Sequence, residues 1–341
     1  MPLSFTVYRG TSGGEIIADV TTRDLGHNEV YIETTHSGIC GTDEHFLHAG
    51  CVLGHEGIGL VRQLGAGVST VKVGDRVGFA YIRKICGVCD NCTSGLDQYC
   101  RHRRAYGTHD FDLGSFSHGA VWDASCIFPI PEALDSADAA PLMCAGATVW
   151  SCLTQNGIRV NDRVGILGIG GLGHLAIRLA SALGYHVVAL LGSEKKRGDA
   201  REFGADEFRV LAGDGGVQGE DEMKPIKHLL VCGSGGVEYT SLVPLMDTTG
   251  TIYHMAVSFE PTPVPTLPLL SKGVRIQGSF ITSRNNLQEL LEFAARKGIR
   301  PTVVKYPFGV EGIQTAMGDL REGRVRYRGV LVREGVERNG V

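Results

Sequence analysis

The chain has 341 residues, of which 43% are apolar and 21% charged, with a net charge of −4. That length predicts two domains, since one hydrophobic core rarely grows so large. The near-balanced charge carries no run of five like charges, so a nucleic-acid or membrane-surface role has little support, and no run of eighteen apolar residues predicts a membrane-spanning helix. The opening residues, Met1 to Gly10, lack a charged segment followed by an apolar one, so a cytoplasmic location is expected. Ten cysteines in such a chain point to metal or redox use before disulfides.

In chain order, the first ~150 residues read as β-rich with long loops, from alternation and turn residues. Val30-Tyr31-Ile32-Glu33-Thr34 alternates, and the runs 57–64 and 74–80 are short and punctuated by glycine. Residues 81–105 form a Cys-, Asp- and Gly-rich lobe. From about Gly157 strand and helix alternate. Val164–Leu167 reads as a strand, and Leu172, Leu175, Ala176, Leu179, Ala180 and Leu183 recur at helical spacing before Gly184. Further strands are expected at 187–191, 228–232, 251–257 and 274–278, and a helix through Leu287, Leu290, Leu291, Ala294 and Ala295 that ends at Gly298. Alternating strand and helix implies an α/β fold with a doubly wound parallel sheet. The last ~40 residues read as mixed strand-like runs, such as Gly329–Val332, that rejoin the first domain.

Three short motifs carry the chemistry. Cys40, His55 and Glu56 bring a thiolate, an imidazole and a carboxylate into one loop-rich segment, a donor set suited to zinc. Cys86, Cys89, Cys92 and Cys100 follow the spacing C-x2-C-x2-C-x7-C, which can close a four-sulfur shell around a structural zinc. An iron–sulfur cluster or free thiols are the rival readings. Gly168-Ile169-Gly170-Gly171-Leu172-Gly173 lies between an expected strand and an expected helix, where backbone N–H groups and the helix dipole can receive a pyrophosphate. A glycine turn without a ligand is the plainer alternative. No carboxylate stands at the end of the 187–191 strand. Ser193, Lys195, Lys196 and Arg197 follow it instead, which suits the 2′-phosphate of NADP, although solvated basic residues would look the same and Glu194 opposes the charge.

Together these motifs resemble the zinc-dependent alcohol dehydrogenases of the medium-chain dehydrogenase/reductase superfamily. The run Gly54-His55-Glu56-x2-Gly59-x5-Gly65-x2-Val68 matches that family's zinc signature, and the cysteine lobe, the glycine loop and Cys144 fall in its order. Within the superfamily the chain is similar to the cinnamyl-alcohol-dehydrogenase-like, NADP-preferring branch. The resemblance implies a GroES-like catalytic domain at 1–150 and 283–341, with a structural zinc lobe at 81–105, and a Rossmann NADP-binding domain at 151–282.

It further implies that Cys40, His55 and Cys144 ligate a catalytic zinc, with Glu56 as an exchangeable fourth ligand. Thr42 would hydrogen-bond the substrate oxygen, and His45 would end a proton relay that runs through the cofactor ribose. Thr148, Gly168, Gly170, Gly171, Leu172, Gly173, Ser193, Lys196, Arg197, Ser279 and Ile281 would contact the cofactor. Trp150 and Phe280 would face the substrate, although either can equally be core. Asp43 can orient a ligand from behind.

The function expected is interconversion of an alcohol and an aldehyde or ketone, with two zinc ions per chain and NADP(H), running toward aldehyde reduction. The alternatives are 1,4-reduction of an α,β-unsaturated carbonyl and, in another class, a non-catalytic zinc- and nucleotide-binding protein. The partners expected are a small alcohol or aldehyde and a second copy of the chain, paired through the 274–278 strand, with no nucleic acid and no membrane. Gly54 follows His45 by only nine positions, a loop short for the family, which leaves the size of the substrate pocket open.

Overall fold

The computed structural model describes residues 2–211, 217–218, 223–233, 235–257 and 259–336. The chain divides into two compact units, residues 1–147 with 282–341, and residues 148–281. The expected domain limits at residues 1 and 341 lie outside the described residues.

The first unit is built on a seven-stranded sheet. Its order is Val303–Pro307, Arg328–Val332, Glu29–Ile39, Gly57–Leu64, Arg76–Phe79 and Ile127–Pro129, with Gly119–Asp123 also paired to Glu29–Ile39. All these pairs are antiparallel except the first, which is parallel. Val30, Ile32, Val61, Val77, Phe79 and Trp122 form one core cluster. The Trp122 indole donates to the Ile82 carbonyl at 3.2 Å, so its one polar atom is satisfied inside. A hairpin of Leu3–Gly10 and Ile16–Arg23 packs beside this sheet.

The second unit holds the sheet Val217–Gln218, Glu207–Leu211, His186–Leu191, Arg163–Leu167, Ile226–Val231, Met246–His254 and Arg275–Gly278, in that order. Every pair is parallel except the first. The chain starts in the middle, winds outward to one side, and returns to wind outward on the other. The order therefore reverses between Arg163–Leu167 and Ile226–Val231, the place where doubly wound sheets open a crevice at their carboxyl ends. The helix Gly173–Ala182 buries His174, Leu175, Ala176, Ile177, Leu179 and Ala180.

Two elements differ from the sequence reading. The strand expected at 251–257 begins at Met246 and ends at His254. Its first half, Asp247–Thr249, is polar and exposed, so no apolar alternation announces it. The last stretch also contains a helix, Val310–Arg321, among the strand-like runs. Gly312, Thr315 and Gly318 dilute its apolar face, although Ile313, Ala316 and Met317 are buried.

Several ion pairs fasten the cysteine lobe to the rest of its unit, among them Arg83 with Glu29 and Asp110, and Asp97 with Arg284. Asp97 accepts from the Arg284 Nε at 2.7 Å and from the Arg284 backbone N–H at 3.0 Å, at the start of the helix Arg284–Lys297. Asp97→Ala is expected to cost about 1 to 3 kcal/mol, because buried hydrogen bonds to a charge are lost. Urea unfolding of the metal-loaded protein measures it, and an unchanged midpoint would contradict the fastening role.

Candidate metal centres and cofactor loop

Strand pairing assembles the first site. Glu29–Ile39 runs antiparallel to Gly57–Leu64 with Ser37 opposite Gly57, and the Gly38 N–H donates to the Glu56 carbonyl at 2.9 Å. The residue leaving one strand, Cys40, thereby meets the two residues entering the other, His55 and Glu56. Cys144 comes from the turn Ala140–Met143, just before the helix Ala145–Gln155. Met143 lies over Gly78 in the adjoining strand, where a Cβ would sit 2.5 Å from the Met143 Sδ. The donor atoms of Cys40, His55, Glu56 and Cys144 all fall within 4.8 Å of one another.

Asp43 organises this cluster. It is fully buried, and one oxygen, Oδ1, faces the His55 Nδ1 at 2.9 Å, the Tyr106 hydroxyl at 3.0 Å and the Gly54 N–H at 3.2 Å. Its Oδ2 accepts from the Cys40 N–H at 2.9 Å. A carboxylate can only accept, so His55 donates from Nδ1 and turns Nε2 to the cluster. That Nε2 is 3.3 Å from the Cys144 Sγ. Two zinc ligands at ordinary bond lengths in a tetrahedron would be about 3.5 Å apart. The Tyr106 ring also stacks on the imidazole, with centroids 4.9 Å apart, and Tyr81 meets it edge-on at 5.8 Å.

Glu56 supplies the sharpest sign that a cation belongs here. Its Oε1 is bound by the Arg328 Nη2 at 2.5 Å. Its Oε2 is buried and has no hydrogen-bond partner among the described residues. A buried carboxylate oxygen left bare is costly, and a cation in the cluster would satisfy it. Gly38 makes room for it, since a Cβ there would meet the Oε2 head on. Burial pushes the Glu56 carboxyl up to about 7 against the pull of Arg328. The Cys144 thiol is pushed well up by its hydrogen bond to Cys40, by burial and by the charges of Cys40 and Glu56. The shared hydrogen bond with Cys144, with His55 and Arg328 nearby, holds Cys40 well below the usual thiol range despite burial. Donors that repel one another in this way are what a divalent ion relieves. Cysteine, histidine and carboxylate in one buried site fit zinc.

Thr42 and His45 lie on the short helix Gly41–His45. The Thr42 Oγ1 is 3.7 Å from the Cys40 Sγ, beside the cluster. His45 is exposed at the far end of the helix.

In the lobe, Cys86, Cys89, Cys92 and Cys100 also form one donor group. Their sulfurs are separated by 3.5 Å between Cys86 and Cys100, 3.6 Å between Cys89 and Cys92, 3.9 Å between Cys86 and Cys92, and 4.0 Å between Cys89 and Cys100. A tetrahedral zinc with four thiolates requires about 3.8 Å. All four thiols are free. Backbone N–H groups point at the sulfurs, from Cys89 to Cys86 at 3.4 Å and from Cys86 and His102 to Cys100 at 3.3 and 3.4 Å. Backbone N–H groups hold the Cys89 thiol down to about 6. The remaining cysteines, Cys51, Cys126, Cys152 and Cys232, are buried singly, and burial pushes each thiol up.

The glycine loop connects the strand Arg163–Leu167 to the helix Gly173–Ala182 at the point where the sheet order reverses. Gly168 has φ +88°, and a Cβ on it would lie 2.8 Å from the Gly233 N. A Cβ on Gly173 would strike the Gly168 carbonyl. Gly170 faces open space instead, so a side chain there would fill the cradle that a pyrophosphate needs. Gly171 and Leu172 complete the loop, with Leu172 as the last residue before the helix.

Ser193 precedes the turn Glu194–Lys196 after the strand His186–Leu191. The Lys196 Nζ reaches back to the Ile169 carbonyl at 2.6 Å, which ties this turn to the glycine loop. Arg197 is joined to Glu194 by two short bonds, Nε at 2.5 Å and Nη2 at 2.6 Å. Of the remaining expected cofactor contacts, Thr148 is buried on the helix Ala145–Gln155, Ser279 hydrogen-bonds Cys152, and Ile281 is half-buried with φ +36°. Trp150 is buried and Phe280 half-buried.

Sequence reading missed Arg328 and Tyr106. Arg328 stands 272 positions from Glu56 and is nearly inaccessible. Its only trace is a cation leading an apolar strand. Tyr106 carries no trace, because nothing local announces its contact with Asp43. Asp43→Asn removes the charge and turns one of the two accepting oxygens into an NH2 that cannot accept, so the bond to His55 is weakened or the bond from Cys40 is lost. This is expected to weaken metal binding at this site about 10- to 100-fold, leaving the lobe's ion in place. Metal content after graded chelation distinguishes the two sites, and equal retention in the variant would contradict the role given to Asp43.

Comparison with known proteins agrees with this architecture. Residues 26–132 match the model of the alcohol dehydrogenase GroES-like domain, and residues 171–296 match that of the zinc-binding dehydrogenases. Cinnamyl alcohol dehydrogenase 8 of Arabidopsis thaliana is 31% identical over 325 residues, covering 91% of this chain and 89% of its own. The NADP-dependent alcohol dehydrogenase C 1 of Mycolicibacterium smegmatis is 32% identical over 344 residues, covering 96% and 97%. The solved structure of a cinnamyl alcohol dehydrogenase from Sorghum bicolor superposes with a TM-score of 0.89 at 27% identity, covering 99% of this chain and all of that one. The chain is thus a member of the zinc-binding alcohol dehydrogenases of the medium-chain superfamily, in their cinnamyl-alcohol-dehydrogenase-like branch.

Proposed function

We propose that this protein interconverts an alcohol and an aldehyde or ketone by hydride transfer with NADP(H), and that it works chiefly as an aldehyde reductase. The observation that carries the reading is the bare Glu56 Oε2 among the donors Cys40, His55 and Cys144. Residues 1–150 and 283–341 hold the metal chemistry, and residues 151–282 receive the cofactor. When bound, zinc supplies a Lewis acid for the carbonyl oxygen and the nicotinamide supplies the hydride.

The protein's own residues do the rest. Cys40, His55 and Cys144 hold the ion, and Glu56, shared with Arg328, is the donor that can be exchanged. Asp43 keeps the His55 Nε2 aimed inward. Thr42, beside Cys40, holds the proton of the substrate oxygen, and exposed His45 passes a proton to or from solvent. Cys86, Cys89, Cys92 and Cys100 hold a second, structural zinc, which stands in for the core a glycine-rich lobe cannot build. Gly168, Gly170, Gly171, Leu172 and Gly173 receive the pyrophosphate, and Ser193, Lys196 and Arg197 the 2′-phosphate. NADP is supported by the absence of a carboxylate at the end of the strand His186–Leu191 and by the NADP-dependent relative. Thr148, Ser279 and Ile281 flank the cofactor, and Trp150 and Phe280 shape the substrate side.

The cytosol, where NADPH and reduced thiols coexist, is the setting this chemistry takes. We place a homodimer contact along Arg275–Gly278, an edge strand of the second sheet next to exposed Leu267 and Leu270.

Two experiments test these assignments. Purified protein is expected to contain two zinc ions per chain and to oxidise NADPH with cinnamaldehyde, giving cinnamyl alcohol. Formation of 3-phenylpropanal would show 1,4-reduction instead, and no consumption with any aldehyde would overturn the enzymatic reading. Thr42→Val is expected to lower kcat about 100-fold or more while zinc content stays at two, since a positioned proton-transfer group typically contributes at least that much. Full activity in that variant would remove Thr42 from the reaction.

A further inference from the structure

Glu194 is a carboxylate set among cations, and the proposed cofactor reading does not use it. It follows Ser193 and precedes Lys195, Lys196 and Arg197, so one anion stands against three cations in this turn. The structure gives each of the charged groups a distinct state. Both carboxylate oxygens of Glu194 engage Arg197, on Nε and Nη2, at 2.5 and 2.6 Å. This is the two-pronged grip that a guanidinium offers a phosphate. The Arg197 guanidinium also lies over the Phe208 ring at 4.8 Å, which fixes its plane. Lys196 donates to the Ile169 carbonyl in the glycine loop. Lys195 is exposed.

The charge count in the sequence therefore overstates what a 2′-phosphate would meet. One cation is covered by an internal anion and another is engaged with a backbone carbonyl. A phosphate oxygen can take the Arg197 fork only by displacing the Glu194 carboxylate. A ribose that ends in a free 2′-hydroxyl has no such competition, and its diol can donate to a carboxylate in this position.

We infer that Glu194 is a specificity-determining residue: by occupying the Arg197 fork it narrows the preference for NADP and leaves room for NAD, so the enzyme accepts both nucleotides. The inference rests on the reading of this turn as the 2′-phosphate site. Opening the pair is the switch. With Glu194 on Arg197 the turn is nearly neutral around the guanidinium, and with Glu194 withdrawn Arg197 faces a 2′-phosphate.

Equilibrium titration of the zinc-loaded, full-length protein with NADPH and with NADH, followed by nucleotide fluorescence, tests this without turnover. Glu194→Gln keeps the side-chain size and removes the charge. It is expected to tighten NADPH about three- to fivefold, the scale of an exposed ion pair, with the Kd for NADH unchanged or raised. Arg197→Gln is expected to weaken NADPH about tenfold, the scale of hydrogen bonds to a charge, and to leave NADH alone. Higher salt is expected to shrink the gain from Glu194→Gln. If Glu194→Gln leaves the NADPH-to-NADH ratio unchanged, or moves it toward NADH, while Arg197→Gln still weakens NADPH, the inference about Glu194 is wrong and the 2′-phosphate reading stands. If Arg197→Gln changes neither nucleotide and the unmodified protein binds both equally, the 2′-phosphate reading itself fails, and the inference with it.

Discussion

The hydrogen bond between the Asp43 Oδ1 and the His55 Nδ1 is the constraint on which the metal chemistry depends. Histidine can present either nitrogen to a metal, and only a fixed acceptor decides which. Asp43 decides it, and it can do so because its own position is over-determined. Its two oxygens receive Cys40, Gly54, His55 and Tyr106 from separate parts of the fold. Four donors satisfy a fully buried carboxylate that would be costly to leave bare. The Cys40 N–H is one of those donors, so the carboxylate that orients one ligand also fixes the backbone of another.

The fold supports this by placing strand ends, not strand middles, at the site. Cys40 leaves one strand as His55 and Glu56 enter its neighbour, and the ladder between Glu29–Ile39 and Gly57–Leu64 sets their separation. A register slip of one residue would turn each side chain to the opposite face. The Ser115 hydroxyl adds a lock, since it meets the Ser37 hydroxyl at 2.7 Å and accepts from the Glu56 N–H at 3.1 Å. Gly38 is the complementary omission, because any side chain there would take the space of the Glu56 carboxylate.

Much of this was legible from residue types and spacing. Cys86, Cys89, Cys92 and Cys100 are close in sequence, so their meeting needs only a short lobe. The glycine loop was legible because strand, loop and helix are contiguous, and Gly168 and Gly173 answer local steric demands. Cys144 was legible only through family resemblance, because composition does not separate it from Cys126. Arg328 and Tyr106 were not legible, since each meets a partner far away in the sequence. The pairing of Glu194 with Arg197 lay within a single turn, yet the sequence offered only the charges and not who holds whom. Local spacing sets which groups can meet, and the tertiary fold sets which of several possible partners each one takes.

The two metal centres differ in how their negative charge is balanced, and that difference separates a staple from a reaction site. The lobe has four sulfurs at mutually similar distances, with backbone N–H groups directed at them. Such a shell is complete, with no donor drawn elsewhere. In the buried centre, Glu56 is divided between a guanidinium and the cluster. Arg328 holds one oxygen firmly and is itself sealed from water, while the other oxygen has no partner among the described residues. A donor shared in this way keeps a charge-balancing partner if it leaves the ion, so withdrawal does not strand a naked carboxylate in the interior. Exchange of one position at low cost is the property a catalytic zinc requires and a structural zinc must lack. In the function proposed above, that property comes from a single arginine, Arg328.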